Sequence, residues 1–405
     1  MNFTGNIKSQ LFKESISGVL KYSEAGNYAG YSKFDALNSP LLWKIFGSSS
    51  IYRFIIIQMV NRIPFHIRPL LGVKKLRNPK GIANFIKAYC ALYKIESLPE
   101  YLNKIRELSD WLLKNNSNKN NRYHGVCWGY NFPWQNPGFY APRYFPNCIV
   151  TSFAGDALLY AYELTGDIKY MKTAESAATF ILKDLPVMEE TGDGKCIGYV
   201  PAKLRWKVIN INSVAAGFLS HLFAVSGEEK YIDEARRLTN WVISKKKEGD
   251  VWSYTYPESS SGIMPDNYHT GGILDGIFDY MVNSKDHTYM ETYMRGLNFY
   301  KRRFFKSDGA PKLFDKKEFP YDIHSVAQGI ITFVKAGKFD SDYMDFAKNI
   351  AAWGIRNMQD ASGHFYYRKY KFYTLKYDLM RWNNSWMTWA LAELLLQLFK
   401  GTNEK

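Results

Sequence analysis

The chain has 405 residues, 46% hydrophobic and 17% aromatic, which supplies side chains for a large core and excludes a disordered or low-complexity protein. A formal charge of +15 asks for anionic company, yet Lys and Arg lie scattered, in clusters no longer than those at 244–250 and 301–305, and no nucleic-acid-binding motif accompanies them. Four widely spaced cysteines with no CxxC pair signal neither a disulfide framework nor a zinc module, and the absence of an apolar leader adds to the expectation of a reducing, cytoplasmic setting.

Residues 1–79 read as an N-terminal arm. Within it, "DALNSP" (35–40) either brings Asp35 and Asn38 to a site or makes an Asx-type turn before proline. The stretch "SIYRFIIIQMVNRI" (50–63) is apolar and basic at once. One reading makes it a buried helix that closes a ring. The other makes residues 51–75 an interfacial segment, peripheral to the inner face of a membrane or in contact with a lipid-linked glycan.

From residue 80 the chain repeats. "TSFAGDALLYAYELTGDIKYMKTAESAATFIL" (151–182) is echoed at 212–243, 269–300 and 324–355, and the step from Ser152, Ser213, Thr270 and Ser325 to Tyr170, Tyr231, Tyr289 and Tyr343 is 18, 18, 19 and 18 residues. A weaker first copy spans 81–114, and a last one, 384–399, stops after its first helix. Each unit reads as a helical hairpin. The first helices are apolar all round and hence buried, whereas the second carry one apolar stripe and face water. Six first helices predict an all-α (α/α)6 toroid, its hairpins at 80–400, the arm closing the ring, and 1–405 forming a single domain. An open solenoid would need polar caps at both ends.

Aligned on the repeat, Ser152, Ser213, Thr270, Ser325 and Ser385 are N-cap candidates. The residues just before them, Thr151, Asn212, His269, His324 and Asn384, should then form a polar circle at one mouth. The long connections 115–150 and 360–382 reach the same face, where loops most often carry function. His269, His324, Tyr268 and Tyr321 are the candidates for proton exchange there, with Asp266 and Asp322 as candidate acids. Arg381, Trp382, Asn383, Asn384 and Asn212, with Trp128, Tyr130, Trp134 and Arg143 from the first loop, are the candidate substrate-binding wall. Asp156 and Asp275 read as first-turn acids that complement a helix dipole. No third ligand accompanies the two histidines at metal spacing, so neither a metal nor a cofactor is expected.

The repeat, together with "GYSKFDALNSPLL" (30–42), "RPLLGVKKLRNPKG" (68–81) and "RWNNSWMTWALAEL" (381–394), resembles VpsJ-type polysaccharide biosynthesis proteins. More distantly it is similar to six-hairpin glycosidases, several polysaccharide lyases and the catalytic domain of glucuronyl C5-epimerases. The resemblance implies a place in exopolysaccharide synthesis or modification and leaves the reaction open. With the basic charge, it makes an acidic oligo- or polysaccharide the expected partner. A uronate epimerase or lyase would use the histidines and tyrosines, with Arg381 and an asparagine against the carboxylate. A glycoside hydrolase would use Asp266 and Asp322 as its two carboxyl groups. A third alternative is a polysaccharide-binding or scaffold protein without turnover.

Overall fold

The computed structural model describes residues 3–403. The arm contributes helices α1 (Phe3–Ala25), α2 (Pro40–Phe46) and α3 (Ser50–Val60). Five hairpins follow: α4 (Pro79–Glu96) with α5 (Pro99–Lys114), α6 (Cys148–Thr165) with α7 (Ile168–Lys183), α8 (Ile209–Ser226) with α9 (Glu229–Ser244), α10 (Asn267–Ser284) with α11 (Met290–Phe304), and α12 (Ile323–Ala336) with α13 (Asp342–Met358). The unpaired α14 (Asn384–Asn403) ends the described chain.

Helices α4, α6, α8, α10, α12 and α14 each pack on the next, and α14 packs back on α4. The circle is closed, and the fold is an (α/α)6 toroid. The inner helices are buried nearly all round; α8 is long and apolar enough to cross a membrane and instead stands inside this ring. The outer helices bury one stripe each, as in α9 with Tyr231, Ile232, Ala235, Leu238 and Val242 at helical spacing. Tight turns join inner to outer helices, and Gly166 and Gly227 end α6 and α8 at φ values of 67° and 73°, a conformation glycine enters without a Cβ clash. The repeated tyrosine is a ring fastener. Tyr170 donates to Asp110 of α5 at 2.9 Å, Tyr343 to Asn298 of α11 at 3.3 Å, and Tyr289 to Asn240 of α9, so each ties its outer helix to the preceding one.

Two expectations are corrected. The ring is closed by α1, which packs on α13 and α14 with Phe12, Ile16 and Val19 inward, and not by residues 50–63. The latter form α3, which lies over the mouth against α2 and the strand Trp134–Gln135. The inner helices also begin earlier than the Ser/Thr alignment predicts. Asn147, Asp266 and Asp322 accept first-turn N–H bonds as caps of α6, α10 and α12, and α8 starts after Val208 without a side-chain cap. Carboxylate and amide caps outcompete hydroxyls a turn further on. Ser213 donates instead to the Ile273 carbonyl at 2.7 Å and Ser385 to the Arg381 carbonyl at 2.9 Å, while the Ser325 hydroxyl is buried without a partner.

Candidate active site

The N-termini of the inner helices and the long connections enclose a cleft of about 460 Å³. Its wall repeats with the ring. The second residue after each cap position, Lys80 of α4, Ile149 of α6, Asn210 of α8, Tyr268 of α10 and His324 of α12, lines the cleft. His269, Asp266, Arg381 and Trp382 join them, with Tyr130 and Trp134 from the first long loop, Phe34 from the arm, Phe54 and Gln58 from α3, and Arg62 just after it.

Asp266 does two things. One oxygen accepts the His269 backbone N–H at 2.9 Å and caps the helix; the other meets His269 Nδ1 at 2.7 Å. A carboxylate only accepts, so Nδ1 carries a proton, and Nε2 is the ring nitrogen left to exchange one in the cleft that His269 lines. The Tyr268 ring stands between the two histidines, 4.5 Å from His269 and 4.9 Å from His324 by centroids. His324 is packed among Trp382 at 4.3 Å and Trp386 at 4.2 Å, its Nδ1 buried without a partner. Burial holds its pKa well below the ordinary value, and Lys80, Lys33 and Arg381 push it the same way, so the ring is neutral.

Three basic side chains reach this site with no carboxylate partner among the described residues. Lys80 lies 4.0 Å above the Phe153 ring. Lys33, buried beside the cleft, lies 3.8 Å above Trp382 and 5.4 Å above Tyr268. The Arg381 guanidinium stacks over Tyr130 at 5.0 Å and Trp382 at 5.3 Å, its Nε buried and unbonded. Burial depresses all three, Lys33 to about 7 and Lys80 well below its usual range, and for the two lysines neighbouring cations, Arg381 among them, add to it. Sequence reasoning missed Lys33 and Lys80. The only available signal was the position of Lys80 just inside a ring helix, in the one repeat copy without Ser or Thr.

Other predicted residues stand elsewhere. Asp322 is fully buried behind the wall: it caps α12, binds Arg368 at 2.7 Å and accepts the Trp382 indole N–H at 2.8 Å, so it positions Trp382 and His324 and does not reach the cleft. Tyr321 turns away, donating to Glu318 at 2.9 Å and packing on Trp353. Trp128 is buried and donates to the Leu112 carbonyl, and Arg143 is exposed and bonded to Asn38. Asn212, Asn384 and Thr151 do share a role, but a structural one. Their side-chain oxygens accept the backbone N–H of Ile197, Phe365 and Trp128 at 2.8, 2.9 and 3.1 Å, pinning each incoming connection to its helix. Asn383 donates to the Phe365 carbonyl in the same cause. The polar circle therefore holds loops on the α6, α8 and α14 sectors and faces the cleft only at the histidines.

Below the cleft, Phe153 and Trp386 form a floor with ring centroids 5.5 Å apart. Under it a second cavity of about 310 Å³ is lined by charges that pair internally. Lys87 meets Asp156, Asp156 meets His221 Nδ1 at 2.7 Å, and Lys335 meets Asp279 at 2.7 Å. Asp275, held by Gln328 at 2.8 Å and Thr332 at 2.7 Å, is raised by burial to about 6. Asp156 and Asp275 thus sit deep in the channel, not in first turns. Among the described residues, no three His, Cys, Asp or Glu side chains are placed to hold a metal ion.

No protein-family model matches the sequence, and no curated protein is similar to it in sequence. Solved structures share the fold. A cellobiose 2-epimerase from Bacillus thermoamylovorans superposes with a TM-score of 0.62 at 13% identity, over 80% of this chain and 88% of that one. A family 76 α-mannanase from Bacteroides thetaiotaomicron gives 0.63 at 12%, over 83% and 90%, and a D-mannose isomerase 0.60 at 12%, over 80% and 87%. Likeness at this identity establishes the toroid and nothing finer.

Proposed function

We propose that the chain is a carbohydrate-active enzyme that removes the proton beside the carboxylate of an acidic sugar, as a uronate epimerase or lyase of polysaccharide synthesis or modification. The observation that carries this reading is the Asp266–His269 pair opposite a neutral His324, next to three basic side chains without carboxylate partners among the described residues. Arg381 and Lys80 would neutralise the substrate carboxylate and make the adjacent C–H acidic. His269 Nε2 would take the proton, leaving the electron pair delocalised into the carboxylate. In an epimerase, His324 or Tyr268 returns a proton to the opposite face. In a lyase, the pair expels the C4 oxygen and leaves a double bond. Neither route needs an oxidant.

The aromatic wall of Tyr130, Trp134, Phe34 and Trp382 suits the faces of sugar rings. Similar folds include proteins described as a 2-epimerase and an isomerase, in keeping with proton transfer. The hydrolase reading loses support because Asp322 is buried and ion-paired, which leaves Asp266 without a second carboxylate across the cleft. The same proposal keeps the enzyme as one domain on the cytoplasmic side, where its four buried, free cysteines stay reduced. The test is incubation with uronate oligosaccharides in deuterated water. Deuterium at C5, or an ultraviolet-absorbing unsaturated end, is expected; a new reducing end without exchange would mean hydrolysis, and binding without turnover would mean a scaffold.

A further inference from the structure

Helix α3 has two faces. Inward, Ile57 and Val60 pack with Ala36, Leu37 and Leu42 in a small core separate from that of the toroid, and Phe54 and Gln58 line the cleft. Outward, Ile51, Ile55 and Met59 recur every four residues along one stripe and are 66%, 45% and 53% exposed. Nothing among the described residues covers them. Nine of the eighteen large apolar side chains exposed in the described chain fall between residues 41 and 70, including Trp43 on α2, which packs on α3, and Phe65 and Leu70 just after it. A patch this concentrated is a contact surface.

The charge around it says what it contacts. Between Asp35 and Glu96 the sequence holds no acid. Lys44, Lys74 and Lys75 are exposed there, and none has a carboxylate partner among the described residues. An apolar stripe flanked by unpaired cations matches an anionic bilayer, where the stripe enters the acyl boundary and the cations meet lipid phosphates.

We infer that α2, α3 and the turn after them dock on an anionic membrane leaflet. Docking sets the mouth of the cleft beside the headgroups, since α3 is at once its wall and the docking helix. On the carbohydrate reading above, the sugar that enters belongs to a lipid-anchored glycan; the docking itself does not depend on that reading.

Flotation of the full chain with vesicles tests it. Phosphatidylcholine vesicles containing phosphatidylglycerol should carry the protein upward, and pure phosphatidylcholine vesicles should carry far less. Ile55→Glu with Met59→Glu should abolish flotation, and Lys74→Glu with Lys75→Glu should weaken it more than about tenfold, since each surface cation contributes on the order of 1 kcal/mol. Unchanged melting temperatures would show both variants folded, and His269→Ala should float like the wild type. A wild-type protein that stays unbound at low salt would overturn the inference. So would a dimer seen by light scattering that the Ile55→Glu, Met59→Glu variant splits without any change in flotation.

Discussion

Lys80 and Lys87 stand seven residues apart on α4, both over the Phe153 ring, at 4.0 and 5.0 Å. They share a helix, a face and an aromatic neighbour, and they lie on opposite sides of the floor that divides the channel. Lys87 below is paired with Asp156, which His221 also holds; Lys80 above has no carboxylate partner among the described residues. A buried charge persists only where a partner offsets its lost hydration. The lower cavity therefore carries its own counter-ions and is a structural strut, whereas the mouth holds basic groups whose charge waits for an anion from outside.

The largest effect should come from the mouth's base. His269→Ala is expected to lower proton exchange by about 10²–10⁴-fold, the usual contribution of a positioned base, with little change in melting temperature because the ring lines a cleft. If exchange survives while melting falls steeply, His269 is a packing residue.

Next comes the contrast between the lysines. Lys87→Met strands part of the Asp156 charge in the channel and should lower stability by on the order of 3 kcal/mol in denaturant titration. Lys80→Met should leave stability within about 1 kcal/mol, because it removes a buried amine with no carboxylate partner, yet should weaken binding of acidic sugars. Reversed outcomes would place the working anion site below the floor.

The smallest effect is a pH dependence of opposite sign at the two ends. Burial alone would lower His221, but the hydrogen bond to Asp156 and the Glu163 carboxylate 3.6 Å from Nε2 outweigh it and raise it to about 9. Its folded value lies above the unfolded one, so its stabilisation is full below about 6.5 and is lost as pH rises through 9. Lys33 is depressed to about 7, so it loses its proton in the fold first and stability recovers as pH rises above that value. Melting curves of His221→Gln should lack the alkaline decline; an unchanged decline would detach His221 from the strut.

The toroid was legible because each inner helix is apolar all round and the hairpin period is held by a tyrosine with a fixed partner. The ring closure was misread, although its signal was present. Residues 3–25 mix charges such as Lys13, Glu14 and Lys21 with an inward Phe12, Ile16 and Val19, as the other outer helices do, while 50–63 lack an acid face altogether. At the site, His269, Tyr268 and Asp266 followed from one helix start. Asn212 and Asn384 did not, because aligning repeats fixes spacing and leaves helix rotation and loop attachment free. Lys33 and Lys80 were hidden for another reason: a lysine counts as surface until the structure buries it against tryptophan and phenylalanine.

The central claim is that the mouth awaits an anion, and calorimetric titration with a uronate oligosaccharide and its neutral methyl ester tests it most directly. An anion near Lys33 and Lys80 raises their pKa values, so binding of the acid above pH 7 should take up protons, seen as a binding enthalpy that varies with the buffer, and should outcompete the ester. Equal affinity for acid and ester, with no proton uptake, would contradict the account.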